Sequence, residues 1–184
     1  IAEARAHRAA NDGCTMMLLN HAERDARHAL ALDPSISRAH GVLGLINACC
    51  GRWLEAETEL RRALSLVARN PDALVFRARL TAFKGELDAA LMVNERALKV
   101  DPQHHEGRAT KAALLLEKGR AAEAKALLVA LVKESAAPAS AHLNYARCLQ
   151  DDDDNEGAKR QLEQALAKDE DNGFARFALA QVSA

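Results

Sequence analysis

Asp152, Asp154, Glu156, Gly157 and Glu163 stand at the spacing of a calcium loop, D-x-D-x-acid-G-x5-E. Such a loop wraps a hard cation in carboxylate oxygens and uses the glycine for its sharp turn. Two features oppose that reading. Lys159 occupies the apolar position after the glycine, and Ala158, Leu162 and Ala165 fall on one face of a helix. A twelve-residue calcium loop cannot also be that helix. The acid run is therefore read as a solvated turn whose charge sits at a helix N-terminus, where the dipole favours it.

Other reactive types are no better grouped. His104 and His105 are adjacent and cannot easily face one metal, while His21 and His28 share a helical face without a further ligand. All seven histidines are expected at the surface. Cys14, Cys49, Cys50 and Cys148 form no C-x-x-C pair, so neither a zinc site nor a disulfide framework is indicated. Free thiols point to a reducing compartment and hence the cytoplasm, the periplasm being the alternative. No glycine-rich phosphate loop, G-x-S-x-G elbow or catalytic triad is present. The expectation is a non-enzymatic protein with no metal and no cofactor.

The elements that position these residues follow from composition. The chain has 184 residues, 49% hydrophobic and 28% charged, which suits a soluble protein with a buried core. Only 3% are aromatic, against abundant Ala and Leu, so an all-α protein is expected. The formal charge is −1, with no basic bias in either half, which argues against nucleic acid as a partner. No apolar run approaches the roughly 20 residues that span a bilayer, so no membrane insertion is expected. The chain opens on neither Met nor a signal-like segment and reads as part of a longer one.

Residues 27–34, RHALALDP, nearly recur at 95–102 as ERALKVDP, two periods of 34 away. Ala22, Ala56, Ala90, Ala124 and Ala158 follow one another at that interval, and seven positions later so do Ala29, Ala63, Ala97, Leu131 and Ala165. Met17, Gly51, Gly85, Gly119 and Asp153 form a third series, and Ala10, Gly44, Ala78, Ala112, Ala146 and Ala180 a fourth. Small residues recur where helices approach closely, and glycine where one helix turns into the next.

These residues resemble the tetratricopeptide repeat, the 34-residue helix–turn–helix family with the pattern W-x2-L-G-x2-Y, A-x3-F, a further Ala and a Pro. Leu43-Gly44, Gly51, Ala56, Leu60 and Ala63 match best, and Pro34 and Pro102 fill the closing slot. The Trp slot departs, holding Ala6, His40, Leu74, Arg108 and His142. The resemblance implies a right-handed superhelical solenoid of antiparallel helix pairs. Its units run from about 3–36, 37–70, 71–104, 105–138 and 139–172, with a terminal helix in 173–184. Helices are expected near 37–50, 53–67, 71–84, 87–100, 105–118, 121–134, 139–150 and 155–168. In the first unit, Asn11-Asp12-Gly13 signals a turn that ends the opening helix early.

In that family the first helix of each pair lines a concave groove. Carried over, the groove positions expected to bind a partner are Arg38, Leu45, Cys49, Arg79, Phe83, Leu116, Leu143 and Arg147. Phe174 and Phe177 fall on groove slots of the last unit, where they either meet a partner or cap the last helix pair, whereas Trp53 and Tyr145 fall on slots that pack between helices and are read as core. The family's carboxylate-gripping arrangement is not expected, because Val42 and Asp72 stand where its polar and basic groups belong. Arg38, Arg79 and Arg147 near Asp72, Glu106 and Glu117 suit an amphipathic or mixed-charge segment of another protein. A protein-binding scaffold is the expectation, with self-association a further option. The alternatives are a regulatory or sensor segment of a larger signalling or transcription protein, or a repeat domain appended to a glycosyltransferase or a polysaccharide or secretion machine.

Overall fold

A computed structural model describes residues 12–170 and 172–182, and every regular element among them is helical. The helices are α1 (Asp12–Leu32), α2 (Ser37–Cys49), α3 (Trp53–Leu66), α4 (Pro71–Phe83), α5 (Leu87–Val100), α6 (His105–Glu117), α7 (Ala121–Leu131), α8 (Ala139–Asp151), α9 (Asn155–Lys168) and α10 (Gly173–Val182). The 34-residue register locates the eight helices from α2 to α9. All but α7 end within one residue of expectation.

The turn inside each pair shows why a period survives in the sequence. Gly51, Gly85 and Gly119 hold φ at 74°, 86° and 73°, in the left-handed region that a Cβ disfavours. The N–H of the following residue then reaches back to the first helix: Arg52 to Asn47 O at 2.8 Å, Arg120 to Leu115 O at 2.9 Å. The first unit has Met17 in that slot, and α1 runs unbroken through it for 21 residues. Asp12 and Gly13 open α1, and the opening helix expected to end early at Asn11-Asp12-Gly13 lies outside the described residues. Corners between pairs are set by side chains that satisfy free N–H groups. Asp33 Oδ1 accepts from Ser35 N and Asp101 Oδ1 from Gln103 N, while Asn70 caps α4 by accepting from Ala73 N.

Helix α7 stops at Leu131 instead of running to 134. The chain turns there and lays Glu134 against α6, where its carboxylate meets His105 at 2.9 Å and Arg108 at 2.7 Å. Glu134 thus pairs with α6 at the point where the last turn of α7 is expected.

The core is a spine of the recurring small residues. Ala56, Ala90, Ala124 and Ala158 are fully buried, as are Ala63, Ala97, Leu131 and Ala165. Leu60, Leu128 and Leu162 fill the space beside them, each contributing about 1.5–3 kcal/mol by burial. Gly44 is needed where α2 crosses α3, since a Cβ there would stand 2.6 Å from Leu60 Cγ. Packing is layered. Helices α2, α4, α6 and α8 each touch the next of their own kind, whereas α3, α5 and α7 pack on α4, α6 and α8 with no comparable contact among themselves. The first helices are therefore the more closely spaced layer, and the array curves towards them.

Candidate functional site

The inner layer is the candidate site, because closely packed helices that are not covered by a further layer present one side chain per turn to whatever lies against them. On α4, Arg79 and Phe83 are four apart and share a face. Phe83 is 47% exposed, and its ring lies 6.2 Å from that of Trp53, tilted by 52°. This is an edge-tilted aromatic pair of favourable geometry. Trp53 is itself 41% exposed, which corrects its assignment to the core: it opens α3 at the edge of the repeat, where Phe83 of the next repeat stands on one side of it and solvent on the other.

The charged positions are linked across repeats. Asp72 accepts from His104 Nε2 at 3.0 Å and lies 3.9 Å from Arg38. His104 Nδ1 accepts from Gly107 N, so its two partners fix the proton on Nε2. Arg79 donates to Thr110 Oγ1 at 3.0 Å and forms an ion pair with Glu106, which also accepts from Ser140. Arg147 pairs with Glu117 at 3.0 Å. Each cation thus meets one of the three acids expected near it.

Magnitudes separate these pairs. Exposed ion pairs are worth about 0–1 kcal/mol, so Arg38 and Arg147, with side chains 78% and 53% exposed, can exchange partners at little cost. Arg79 is 28% exposed and joins α4 to α6 through two bonds. It acts first as an inter-repeat clamp.

The remaining expected groove residues divide. Leu45 and Leu143 are half-buried, Leu143 packing beside Ala146, Leu149 and Ala178. Leu116 is 8% exposed and belongs to the core formed by α6, α7 and α8. Cys49 ends α2, and its side chain lies outside the described ones, as does that of Cys14. Phe174 and Phe177 are exposed on α10 at 64% and 45%, and Tyr145 is half-buried between two core clusters.

Two histidines contradict the expectation of surface positions. His40 and His142 are 6% and 4% exposed in the Trp slot, bonded through Nδ1 to Glu59 at 2.6 Å and to Gln161 at 2.9 Å. A ring in that slot must pack between helices whatever its polarity, and each finds one polar partner on the second helix of its own pair. His104 and His105 face different carboxylates.

The calcium spacing is taken up by helix. Asp154 Oδ1 accepts from Gly157 N as the cap of α9, Asp152 pairs with Lys125, and Gly157 to Glu163 are helical. Among the described residues no three His, Cys, Asp or Glu side chains are grouped to hold a metal. Burial pushes the Cys148 thiol above its ordinary value, which makes it a poor nucleophile. No helix among the described residues is long and apolar enough to cross a membrane.

Comparisons with known proteins agree with this architecture. A tetratricopeptide-repeat family profile matches residues 49–182. A tetratricopeptide repeat protein from Parabacteroides merdae superposes with a TM-score of 0.75 at 17% identity, over 92% of this chain and 66% of that one. A thermophilic TPR protein of Thermus thermophilus gives 0.73 at 18% identity, over 91% and 92%. YrrB, a TPR protein with an unusual peptide-binding site, gives 0.53 at 22% identity, over 89% and 84%. No curated protein matches the chain. The fold is one that serves as a protein–protein interaction scaffold, and the chain belongs to the tetratricopeptide repeat family.

Proposed function

We propose that the chain is a non-enzymatic scaffold that holds a segment of a partner protein against the face formed by α2, α4, α6 and α8. The observation that carries this reading is the exposed Trp53–Phe83 pair at the end of α4. The same layer of helices carries the Arg38–Asp72 and Arg147–Glu117 ion pairs, which exchange at little cost. Aromatic side chains bury large area with few rotors to freeze, and such anchors dominate interface energies. Arg38 and Arg147 add exposed charge in the same layer, which suits a segment of mixed apolar and acidic character. A peptide-binding site described for YrrB is consistent with the same use of a related fold.

The test is affinity capture with wild-type protein, identification of the captured proteins by mass spectrometry, and recapture with variants. Trp53→Ala with Phe83→Ala should weaken capture by the equivalent of about 2 kcal/mol or more, roughly 30-fold, while the melting temperature stays close to wild type. Arg79→Glu is unsuitable because it also breaks the links to Thr110 and Glu106. Arg96→Glu, exposed on the outer helix α5, is the control. Loss of capture in the control but not in the aromatic double variant would refute the assignment.

A further inference from the structure

Where the second helix of one repeat meets the first helix of the next, two register positions recur at each junction. Between α5 and α6 they are Glu95 and Lys111, ion-paired at 3.3 Å. Between α7 and α8 they are Val129 and Tyr145, both half-buried and uncharged. Between α3 and α4 they are Arg61 and Arg77, two cations lining one cleft of about 200 Å³. Lys84, Glu57, Glu86 and Thr81 complete its polar wall, and Leu60 and Leu80, 2% and 4% exposed, lie at its base.

The charges in this cleft do not cancel. Glu57 is bonded to Lys84, a bond repeated with opposite polarity by Asp152 and Lys125 at the corresponding positions of a later junction. Thr81 spends its hydroxyl on the carbonyl of Arg77. The Glu57 carboxyl is drawn below its ordinary value first by Lys84 and also by Arg61 and Arg77, so it serves all three cations. The lining therefore sets Arg61, Arg77 and Lys84 against Glu57 and Glu86, with one positive charge in excess. Arg77 and Arg79 are two residues apart on α4, about 200° around the helix, so Arg77 lies on the opposite side of α4 from the Arg79 clamp.

We propose that this cleft binds an oxyanion, either free phosphate or a carboxylate, shared between Arg61 and Arg77. Planar guanidinium forks match the geometry of both groups, and an anion held by both arginines gains charge-assisted hydrogen bonds from each. The cleft lies one helical turn from the aromatic pair, since Trp53, Glu57 and Arg61 follow one another at intervals of four on α3 and Lys84 adjoins Phe83.

The experiment compares thermal melts in sodium phosphate, sodium glutarate and sodium chloride at equal ionic strength, for wild type and Arg61→Glu. Phosphate or glutarate should raise the wild-type melting temperature saturably by about 2 °C or more over chloride. Response to only one of the two names the source, and response to both names the shared chemistry. Arg61→Glu recreates the Glu95–Lys111 arrangement, so in chloride it should melt at or above wild type and show no anion-specific rise. The proposal is overturned if neither anion gives a saturable shift, if Arg61→Glu responds as wild type does, or if Arg61→Glu melts well below wild type in chloride.

Discussion

Asp153 holds φ at 61° at the place in the fifth repeat where Gly119 holds 73° in the fourth. A left-handed residue with a Cβ costs about 1–2 kcal/mol, less for Asp, which tolerates the region better than most. At the glycines of this slot no atom lies within 4 Å of a built Cβ, so the cost is in the backbone and not in packing. Asp153→Gly should therefore stabilise the protein by about 0.5–1 kcal/mol, after allowance for the greater freedom of glycine in the unfolded chain. The melting temperature should rise by about 2 °C, read by circular dichroism. A fall would mean that Asp153 makes a compensating interaction.

Asn94 occupies the slot held by Leu60, Leu128 and Leu162 in other repeats, and it is fully buried. Its Nδ2 donates to Gly107 O at 2.9 Å, but its Oδ1 has no hydrogen-bond partner. An unsatisfied buried acceptor costs about 1–3 kcal/mol, and leucine is the side chain the other repeats accommodate in this slot. Asn94→Leu should raise stability by about 1–2 kcal/mol, measured by urea unfolding. A midpoint below wild type would show that the bond to Gly107 outweighs the orphaned oxygen.

Glu134 gives the acid response a specific site. Arg108, foremost, and His105 hold its carboxyl below the usual carboxylate range. A depressed pKa contributes stability that is present above the ordinary value of 4.5 and is lost as pH falls through the folded-state value. Glu134→Gln should lower the melting temperature at neutral pH, and that offset should shrink as pH is taken down to about 3. An offset that is the same at both pH values would assign the effect of Glu134 to shape and not to charge.

The sequence register carries most of the fold because each repeat solves the same packing problem with the same small residues. Its failures have local causes. Met17 marks the first unit as lacking a turn glycine, and the unbroken α1 follows from that slot. The early end of α7 is not legible, and neither is the meeting of Glu134 with His105 and Arg108 of another helix that accompanies it. For His40 and His142 the slot is a better guide than the residue type. Trp53 departs the other way: a slot that is interior between two covering helices is exposed where Phe83 of the neighbouring repeat leaves one side open. The acids near Arg38, Arg79 and Arg147 can be named from sequence, but their pairing depends on inter-repeat offsets of 34, 27 and 30 residues that no single period encodes.

Whether a partner lies against the face formed by α2, α4, α6 and α8 is read out by photo-crosslinking. A photoreactive amino acid would replace Phe83 on that face in one protein and Arg96 on α5 in another, with irradiation in cells and mass spectrometry of the adducts. Partner adducts are expected from position 83 and none from position 96. Adducts from position 96 with none from position 83 would contradict the proposal and place recognition on the outer helices.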